Sequence, residues 1–252
     1  MTVLTPHPVM PAPLQPGSGK SVLFRGQRKG HATVLVIAFG CASLALPMLV
    51  AGVSSIHAER ALKQWESAEQ PPTRHYWELT LRRAERAVAW YPAANGEYLD
   101  RLGRVRAWAA ALETDADAAS PLKPEAAIDA FRQSTAARPA WPWTWLRLAY
   151  GKSAMGMLDD EFDLALRQAA ATGSGRLDVN RSLAELGFGQ WAGLNRDQRV
   201  LVLSAAGRAV SHSAEEAGRI HALARAAGVE QPLCWSLGRA IRSQQRICTE
   251  EG

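Results

Sequence analysis

Adjacent carboxylates are the residues of this chain whose type and spacing come closest to catalytic chemistry. They occur as Asp159-Asp160-Glu161 and as Glu215-Glu216. Hydrolysis of a glycosidic bond needs two carboxyl groups that face each other across a cleft, whereas neighbours one residue apart on a helix do not face each other. Acids in the first turn of a helix are favoured by the helix dipole. We therefore interpret both clusters as acids at helix N-termini and predict no catalytic residues.

Metal and phosphate sites have equally weak support in the sequence. A zinc site needs closely spaced His, Cys or acidic ligands, and the histidines at 57, 75, 212 and 221 form no His-x3-His pair. The segment Gly-Ser-Gly-Lys20 lacks the full pattern of a phosphate-binding loop. The sequence therefore predicts no metal, no cofactor and no enzymatic activity.

Tryptophan is unusually frequent, with nine residues in the chain, and Trp141, Trp143 and Trp145 lie within five positions. Aromatic rings bind partners through a large apolar face, and they can stack on sugar rings. We predict that Trp141 and Trp143, with the nearby Arg147, contact a protein partner or a glycan. Packing between helices is the alternative for both rings, and we expect Trp145 to lie in the core.

Three cysteines are present, of which Cys41 lies in an apolar segment and is interpreted as a small filler. Cys234 and Cys248 lie in the downstream domain, where oxidation is possible. If residues 233–248 formed one unbroken helix, the two cysteines would be roughly 21 Å apart, and a disulfide needs Cα atoms within about 7 Å. A bond therefore requires the chain to turn back after about Arg242, and the pairing stays open.

One apolar segment determines where the rest of the chain can lie. Ala32 to Ile56 contains no charged side chain, and a bilayer core of about 30 Å needs roughly 20 apolar residues. We predict a transmembrane helix over 32–56 and a helical domain over 57–252. Cleavage of a signal peptide after Ala58 is the alternative, although the apolar core of such a peptide is typically only about 7–15 residues long.

Charge is distributed unevenly on the two sides of this segment. Residues 1–31 contain no acid but four basic residues, namely Lys20, Arg25, Arg28 and Lys29. Basic residues beside a span favour the cytoplasmic side, so we predict a cytoplasmic tail, a bacterial inner-membrane span and a periplasmic domain. Five prolines among the first 19 residues indicate disorder, and we predict that the whole tail, residues 1–31, is disordered. The rest of the chain has 25 basic and 24 acidic residues, which argues against nucleic acid as a partner.

The downstream domain has a helical pattern throughout. Apolar residues in Leu79–Trp90 recur at helical spacing, and alternating strand-like runs are rare. Pro71-Pro72 and Pro92 separate helices, Asn95 is the expected N-cap of a helix running to about Leu112, and residues 113–124 are predicted to form a loop. Farther on, Ser213-Ala-Glu-Glu216 predicts a capping box and Gly228 a helix end.

Helical hairpins in series suggest a repeat, and the tetratricopeptide pattern is present in part. The second-helix spacing is reproduced by Ala127, Phe131, Ser134 and Pro139, the following first helix by Trp145, Leu148 and Ala149, and an earlier first helix by Leu99, Leu102 and Gly103. The small residues allow two helices to approach closely, and the large ones fill the space between repeats. This is a signature of hairpin geometry rather than of catalysis.

The segments 138–152 and 160–170 also resemble a particular family. They are similar to VpsP-type proteins, which are membrane-anchored, tetratricopeptide-like proteins of bacterial exopolysaccharide biosynthesis systems. The resemblance implies an accessory role in making or exporting a surface polysaccharide. It brings no catalytic residues with it.

The sequence thus predicts an all-α protein, with a single transmembrane helix followed by a tetratricopeptide-like helical-hairpin solenoid. We expect a non-catalytic accessory of exopolysaccharide synthesis and export, which holds a partner protein in a groove formed by residues 96–170. Its partners would be the inner membrane, proteins of that machine and the polysaccharide itself. The alternatives are a general periplasmic scaffold for envelope-protein or cytochrome assembly and, from a different class, an enzyme acting on glycans.

Overall fold

The computed structural model describes residues 22–68, 71–112 and 125–248. In these residues the chain forms twelve α-helices and one short 3-10 turn, and no strand. The helices are α1 (Val22–Ser67), α2 (Arg74–Trp90), α3 (Gly96–Ala107), α4 (Ala109–Leu112), α5 (Glu125–Ala137), α6 (Pro142–Ala154), α7 (Asp160–Gly173), α8 (Leu177–Gly189), α9 (Arg196–Val210), α10 (Ala214–Ala226), α11 (Glu230–Ser236) and α12 (Arg239–Gln245). The predicted loop 113–124 lies outside the described residues.

The chain divides into two compact units, Met1–Leu46 and Pro47–Gly252. In the first unit, α1 begins at Val22, so residues 22–31 are helical although the sequence assigns them to a disordered tail. Extending an existing helix adds a hydrogen bond for each residue fixed, so a helix can grow beyond the segment that nucleates it. The earlier part of the predicted tail, residues 1–21, lies outside the described residues.

Large apolar side chains of α1 are exposed in the first unit, among them Val36, Ile37 and Phe39. Within the described residues, one helix is apolar and long enough to cross a membrane, over Val36–Ser67, as judged by length and composition. The residues of its most apolar stretch are almost all exposed, rather than buried against other helices.

In the second unit, the rest of α1 buries one face. The buried residues recur at helical spacing and are Ala51, Ser54, Ser55, Ala58, Ala61, Leu62 and Trp65. Packing therefore begins inside the predicted span 32–56, five residues before its end. The small side chains at 51, 54 and 55 permit this, because they allow α3 to approach closely enough for Arg101 Nη1 to donate to Ser55 Oγ at 2.6 Å.

Successive helices of the second unit pack against one another in series. From α5 to α11 each helix contacts the next along the chain, and α3 contacts both α2 and α5. Helices two positions apart also touch, as in α6 with α8, α7 with α9, α8 with α10 and α9 with α11. This is the predicted helical-hairpin solenoid.

The residues of the repeat pattern pack as their sizes predict. Gly103 on α3 lies against the Phe131 ring of α5, and a Cβ atom at Gly103 would be 2.5 Å from that ring. Ser134 Oγ donates to the carbonyl of Gly96 at 2.6 Å, so a second small residue holds the same two helices together. Farther along, Gly187 of α8 similarly allows Val202 of α9 to approach closely. A Cβ atom at Gly187 would lie 2.2 Å from the Val202 side chain.

Trp145 differs from the prediction that it lies in the core. Its side chain is only partly buried and packs against the edge of the core. Its indole Nε1–H donates to the carbonyl of Pro139 at 2.7 Å. The carbonyl in the turn before α6 thus holds the polar end of the indole at the surface of the unit.

One helix boundary and one capping contact also differ from the prediction. The helix expected up to Leu112 is interrupted at Trp108, whose ring packs edge-on against Trp65 at 5.9 Å. At the start of α10, Ser213 Oγ accepts from the amide of Glu216 at 3.2 Å, but the Glu216 carboxylate binds Arg181 instead of closing the capping box. An ion pair with a guanidinium outcompetes a neutral amide for this carboxylate.

A complete capping box occurs instead at the start of α9, between Asn195 and Gln198. At the end of α10, Gly228 has a φ of 68°, and this left-handed conformation is the one that the sequence predicts for the residue after a helix.

The end of the chain folds back on itself. Helix α11 ends at Ser236 and α12 begins at Arg239, so residues 233–248 are two helices rather than one. A further reversal at Arg246, with a φ of 54°, brings Cys248 towards α11. The Cα atoms of Cys234 and Cys248 are 5.6 Å apart, and a disulfide joins the two side chains.

Candidate functional site

Trp141, Trp143 and Arg147 line a single cavity of about 310 Å³. Its other walls come from α1, through Glu59, and from α3, through residues 97–104. The structure therefore brings all three predicted contact residues together, although they come from the turn before α6 and from α6 itself.

The start of α6 determines where the two tryptophans lie. Trp141 is the N-cap, with extended backbone angles, and Pro142 occupies the first helical position, where its missing N–H does not disturb the helix. The guanidinium of Arg138 lies over the Trp141 ring at 4.0 Å, and that of Arg176 lies at 5.5 Å. Cations at these distances are attracted to the ring, so the orientation of Trp141 is fixed by its neighbours.

Arg147 connects α6 to α3 through Asp100. Its Nη1 donates to Asp100 Oδ1 at 2.8 Å and to Oδ2 at 2.7 Å, and Thr144 Oγ1 donates to Oδ1 at 3.1 Å. The Asp100 side chain is only 9 % exposed, so these partners supply most of its hydrogen bonds. Arg147 also lies 5.7 Å from the Trp143 ring, which places a cation–π contact beside the ion pair.

Arginines of α3 connect the same cavity to α1. Arg101 Nε and Arg104 Nη1 each donate to Glu59 Oε2 at 3.0 Å, and Arg104 also binds Glu66 at 2.5 Å. Burial alone would lower the pKa of Arg104, but its hydrogen bond to Glu66 and the nearby carboxylates raise it.

Arg106 of α3 extends this set of ion pairs to α2, where it lies 3.6 Å from Glu85. Sequence reasoning missed the acidic partners Glu59, Glu66 and Asp100. A usable signal was present, because Glu59 and Glu66 are two turns apart on one face of α1, opposite arginines three residues apart on α3.

A second cavity, of about 430 Å³, adjoins the first. Its lining is mainly apolar and includes Ala107, Trp108, Phe131, Tyr150, Gly151 and Ala154. Arg104 and Arg147 line both cavities, so the two lie side by side, and we name them together the α1–α3–α6 groove. Tyr150 is anchored by donating to the carbonyl of Ser182 at 3.0 Å, and burial raises its pKa.

The first acidic cluster forms contacts within the fold. Asp159 caps α7 by accepting from the amides of Glu161 and Phe162 at 3.1 and 3.0 Å. Glu161 binds Arg132 of α5 at 2.6 Å and Lys152 of α6 at 2.6 Å. The hydrogen bond from Arg132, followed by that from Lys152, lowers the pKa of Glu161 to about 2.

The second acidic cluster also has a partner in the fold. Arg181 donates from Nε to Glu216 Oε2 at 2.9 Å and from a second nitrogen to Oε1, a bidentate contact between α8 and α10. The hydrogen bond from Arg181 lowers the pKa of Glu216. Glu161 and Glu216 are thus held as anions by arginines.

His221 lies beside the disulfide of Cys234 and Cys248, with ligand atoms of the three residues within 4.8 Å of one another. Spacing along the sequence did not reveal this proximity, because it depends on the two reversals after α11. The sulfur atoms are bonded to each other, so they do not present the thiolates that a metal requires. The Nε2 atom of His221 is instead 2.8 Å from Glu230 Oε1.

The described fold is that of an all-helical repeat protein. No protein-family model and no curated protein matches the chain. Among solved structures, it is similar to one titled "Crystal structure of MamA protein", with a TM-score of 0.44 and 14 % sequence identity, covering 80 % of this chain and 97 % of that chain.

Proposed function

We propose that this chain is a membrane-anchored, non-catalytic scaffold that holds a segment of a partner protein in the α1–α3–α6 groove. The observation that carries this proposal is the junction of an apolar and a polar cavity at Arg104 and Arg147. A segment with one large apolar side chain beside hydrogen-bonding groups would fit both parts. The ion pairs of the walls hold the groove in shape before binding, which lowers the entropic cost of association.

We further propose that the partner belongs to a bacterial exopolysaccharide synthesis and export machine. The resemblance of residues 138–170 to VpsP-type proteins supports this assignment. Trp141 and Trp143 offer aromatic surface at the polar cavity, so contact with the polysaccharide at these rings is part of the proposal.

The proposed location is the bacterial inner membrane, with the N-terminus in the cytoplasm and the helical domain in the periplasm. Basic residues before the apolar helix support this orientation. The disulfide between Cys234 and Cys248 suits an oxidising compartment.

Photo-crosslinking in intact cells tests the groove. Benzoylphenylalanine placed at Ala154, in the apolar cavity, and at Trp143, in the polar cavity, should capture the same protein because both positions line one groove. The same probe at Ala171, exposed on α7 and outside both cavities, is the matched control and should not capture it. Peptide mapping should find a large apolar residue of the partner near the Ala154 probe.

Blocking variants complete this experiment. Ala154→Arg places a long cation in the apolar cavity and should abolish capture at Trp143, whereas Ala171→Arg should leave it unchanged. Capture of a polymerase, chain-length regulator or export subunit supports the full proposal. Capture of a folding or cytochrome-assembly protein would support binding in the groove but assign the chain to a different machine. Capture at Trp143 that is unaffected by Ala154→Arg would show that the partner does not bind in the groove.

Topology is tested separately with reporter fusions. Alkaline phosphatase fused after Gly252 should be active in cells, because that enzyme folds only outside the cytoplasm. Deletion of residues 32–50 should abolish this activity. An N-terminal tag that remains on the membrane-bound protein would exclude signal-peptide cleavage after Ala58, and an inactive full-length fusion would overturn the orientation.

A further inference from the structure

A third cavity, of about 540 Å³, lies between the α7–α8 turn, α9 and α12. Its lining combines one guanidinium, one imidazole, hydroxyls and apolar side chains, contributed by Arg208, His212, Ser204, Ser211, Leu177 and Ile241 among others. No Asp or Glu is among its described lining residues. The cavity shares no residue with the α1–α3–α6 groove.

A buried amide positions the guanidinium of this cavity. Asn180 is 3 % exposed, and its Nδ2 donates to the carbonyls of Ser174 and Arg176, each at 2.8 Å. Because both acceptors are carbonyl oxygens, the side-chain oxygen of Asn180 must face the other way. It accepts from Arg208 Nε at 2.8 Å, which leaves both terminal nitrogens of the guanidinium available.

Arg208 also lacks a balancing charge. Among the residues that the structure describes, no carboxylate lies within ion-pair distance of it and its terminal nitrogens make no hydrogen bond. Arg147 and Arg181, by contrast, each bind a carboxylate through two hydrogen bonds. Desolvation by neighbouring side chains lowers the pKa of Arg208, although the residue as a whole is exposed, and a bound anion would reverse this shift.

Ser204 of α9 and Ser211, the residue that follows the helix, add acceptors to the site. Ser204 Oγ donates to the carbonyl of Val200 and Ser211 Oγ to that of Gly207, each at 2.8 Å. Since each hydroxyl hydrogen is already used, the serine oxygens can accept from hydroxyl groups of a ligand. Leu177 and Ile241 supply apolar surface, which small-molecule sites commonly combine with a few polar groups.

We propose that this cavity binds a small polyhydroxylated anion, of the sugar-acid or sugar-phosphate class, with Arg208 on its charged group. The free edge of a guanidinium fits either a carboxylate or a phosphate through two parallel hydrogen bonds. The serine oxygens accept from the ligand's hydroxyls, and the apolar residues contact its carbon face. This inference is independent of the protein partner proposed for the α1–α3–α6 groove.

Calorimetry and saturation-transfer NMR on the full chain in detergent micelles test the site. The probes are glucuronate, glucose 6-phosphate and the neutral methyl glucoside. Glucuronate, glucose 6-phosphate or both should bind at least about tenfold more tightly than methyl glucoside, because hydrogen bonds to a charged group are stronger than those to a neutral one. Preference for one of the two anions identifies a carboxylate or a phosphate as the charged group.

Variants assign the binding to this cavity. Arg208→Gln should weaken anion binding at least about tenfold, and Ser204→Tyr, at an exposed position of α9, should block it by filling the space. Arg225→Gln on α10 is the control, because that side chain is 67 % exposed and does not line the cavity. Unchanged binding in both Arg208→Gln and Ser204→Tyr, equal binding of methyl glucoside, or no anion binding at 10 mM ligand would overturn the proposal.

Discussion

Arg147 of α6 binds both carboxylate oxygens of Asp100 on α3, at 2.8 and 2.7 Å. This contact joins the first helices of two successive hairpins directly, without passing through the second helices between them. Similar polar contacts join other helices of this row, through Arg101 and Glu59, Tyr150 and Ser182, and Arg181 and Glu216. The row of first helices that forms the α1–α3–α6 groove is therefore held by side-chain contacts of its own.

Removing either partner of the Arg147–Asp100 pair should destabilise the second unit. Arg147→Ala leaves an Asp100 side chain that is only 9 % exposed without its cation, and breaking such a pair typically costs about 3–5 kcal/mol. Because Thr144 still donates to Asp100 and Arg147 is partly exposed, we expect about 2–3 kcal/mol. Urea unfolding followed by circular dichroism measures this.

A double-mutant cycle measures the interaction free energy between Arg147 and Asp100 separately from their contacts with other residues. The variant with both Asp100→Ala and Arg147→Ala should be destabilised by clearly less than the sum of the two single variants, because the second substitution removes the charge that the first leaves unpaired. Additive effects would show that the two side chains stabilise the fold independently. That result would contradict the role of this pair in connecting α3 to α6.

The hairpins could be predicted from the sequence because they depend on local signals. Small residues at Gly103 and Ser134 and the helix stop at Pro139 determine how α3 and α5 approach and where α5 ends. These features depend on the size of a residue and on the freedom of its backbone, and both follow directly from the residue type. The same signals did not reveal the interruption at Trp108, since it accompanies packing against Trp65, more than 40 residues earlier.

The chemistry of the groove was only partly predictable. Trp141, Trp143 and Arg147 are close in sequence, so a single turn brings them together. Asp100 and Glu59 come from other helices, and their positions depend on how the repeats stack. Stacking is decided by the sum of many weak contacts, so a pairing such as Arg104 with Glu66 does not follow from spacing within either helix.

Gly103→Ala tests the close approach of α3 and α5. The added Cβ would lie 2.5 Å from the Phe131 ring, so we expect a loss of about 1–3 kcal/mol in the free energy of unfolding, as for other overpacked sites. Gly218→Ala on α10 is the control, because nothing lies within 4 Å of its added Cβ. That variant should be stabilised by up to about 1 kcal/mol through helix propensity. Equal effects in thermal unfolding would contradict the close packing at Gly103.

Glu161→Gln tests the ion cluster between α5, α6 and α7. The Lys152 side chain is only 4 % exposed and depends on Glu161 and Asp159 for its counter-charge. Asp159 remains in the variant, so at pH 7 we expect a loss of about 1–3 kcal/mol. Glu215→Gln, at an exposed acid without a salt bridge among the described residues, should change stability by less than about 0.5 kcal/mol.

The effect of Glu161→Gln should depend on pH with a definite sign. The pKa of Glu161 is about 2 in the folded protein and 4.5 ordinarily, so the folded state holds this proton less tightly than the unfolded chain. The stabilisation is therefore complete above about pH 4.5 and is lost as the pH falls towards 2. Denaturant unfolding between pH 7 and 2 should show the wild-type and variant curves converging. A constant difference across this range would contradict the role of the carboxylate charge.

Breaking the disulfide should destabilise the end of the solenoid. Cys234 and Cys248 are 14 residues apart, and closing a loop of about 15 residues stabilises a protein by about 3 kcal/mol through the entropy of the unfolded chain. Because α11 packs on α9 and α10, we expect the loss to appear first as faster proteolysis after Gly238. Reducing agent should reproduce the effect of Cys248→Ser in the wild type and have no effect on the Cys234→Ser/Cys248→Ser double variant. Equal protease resistance in all of these samples, or alkylation of both cysteines without prior reduction, would show that the bond does not hold this segment in place.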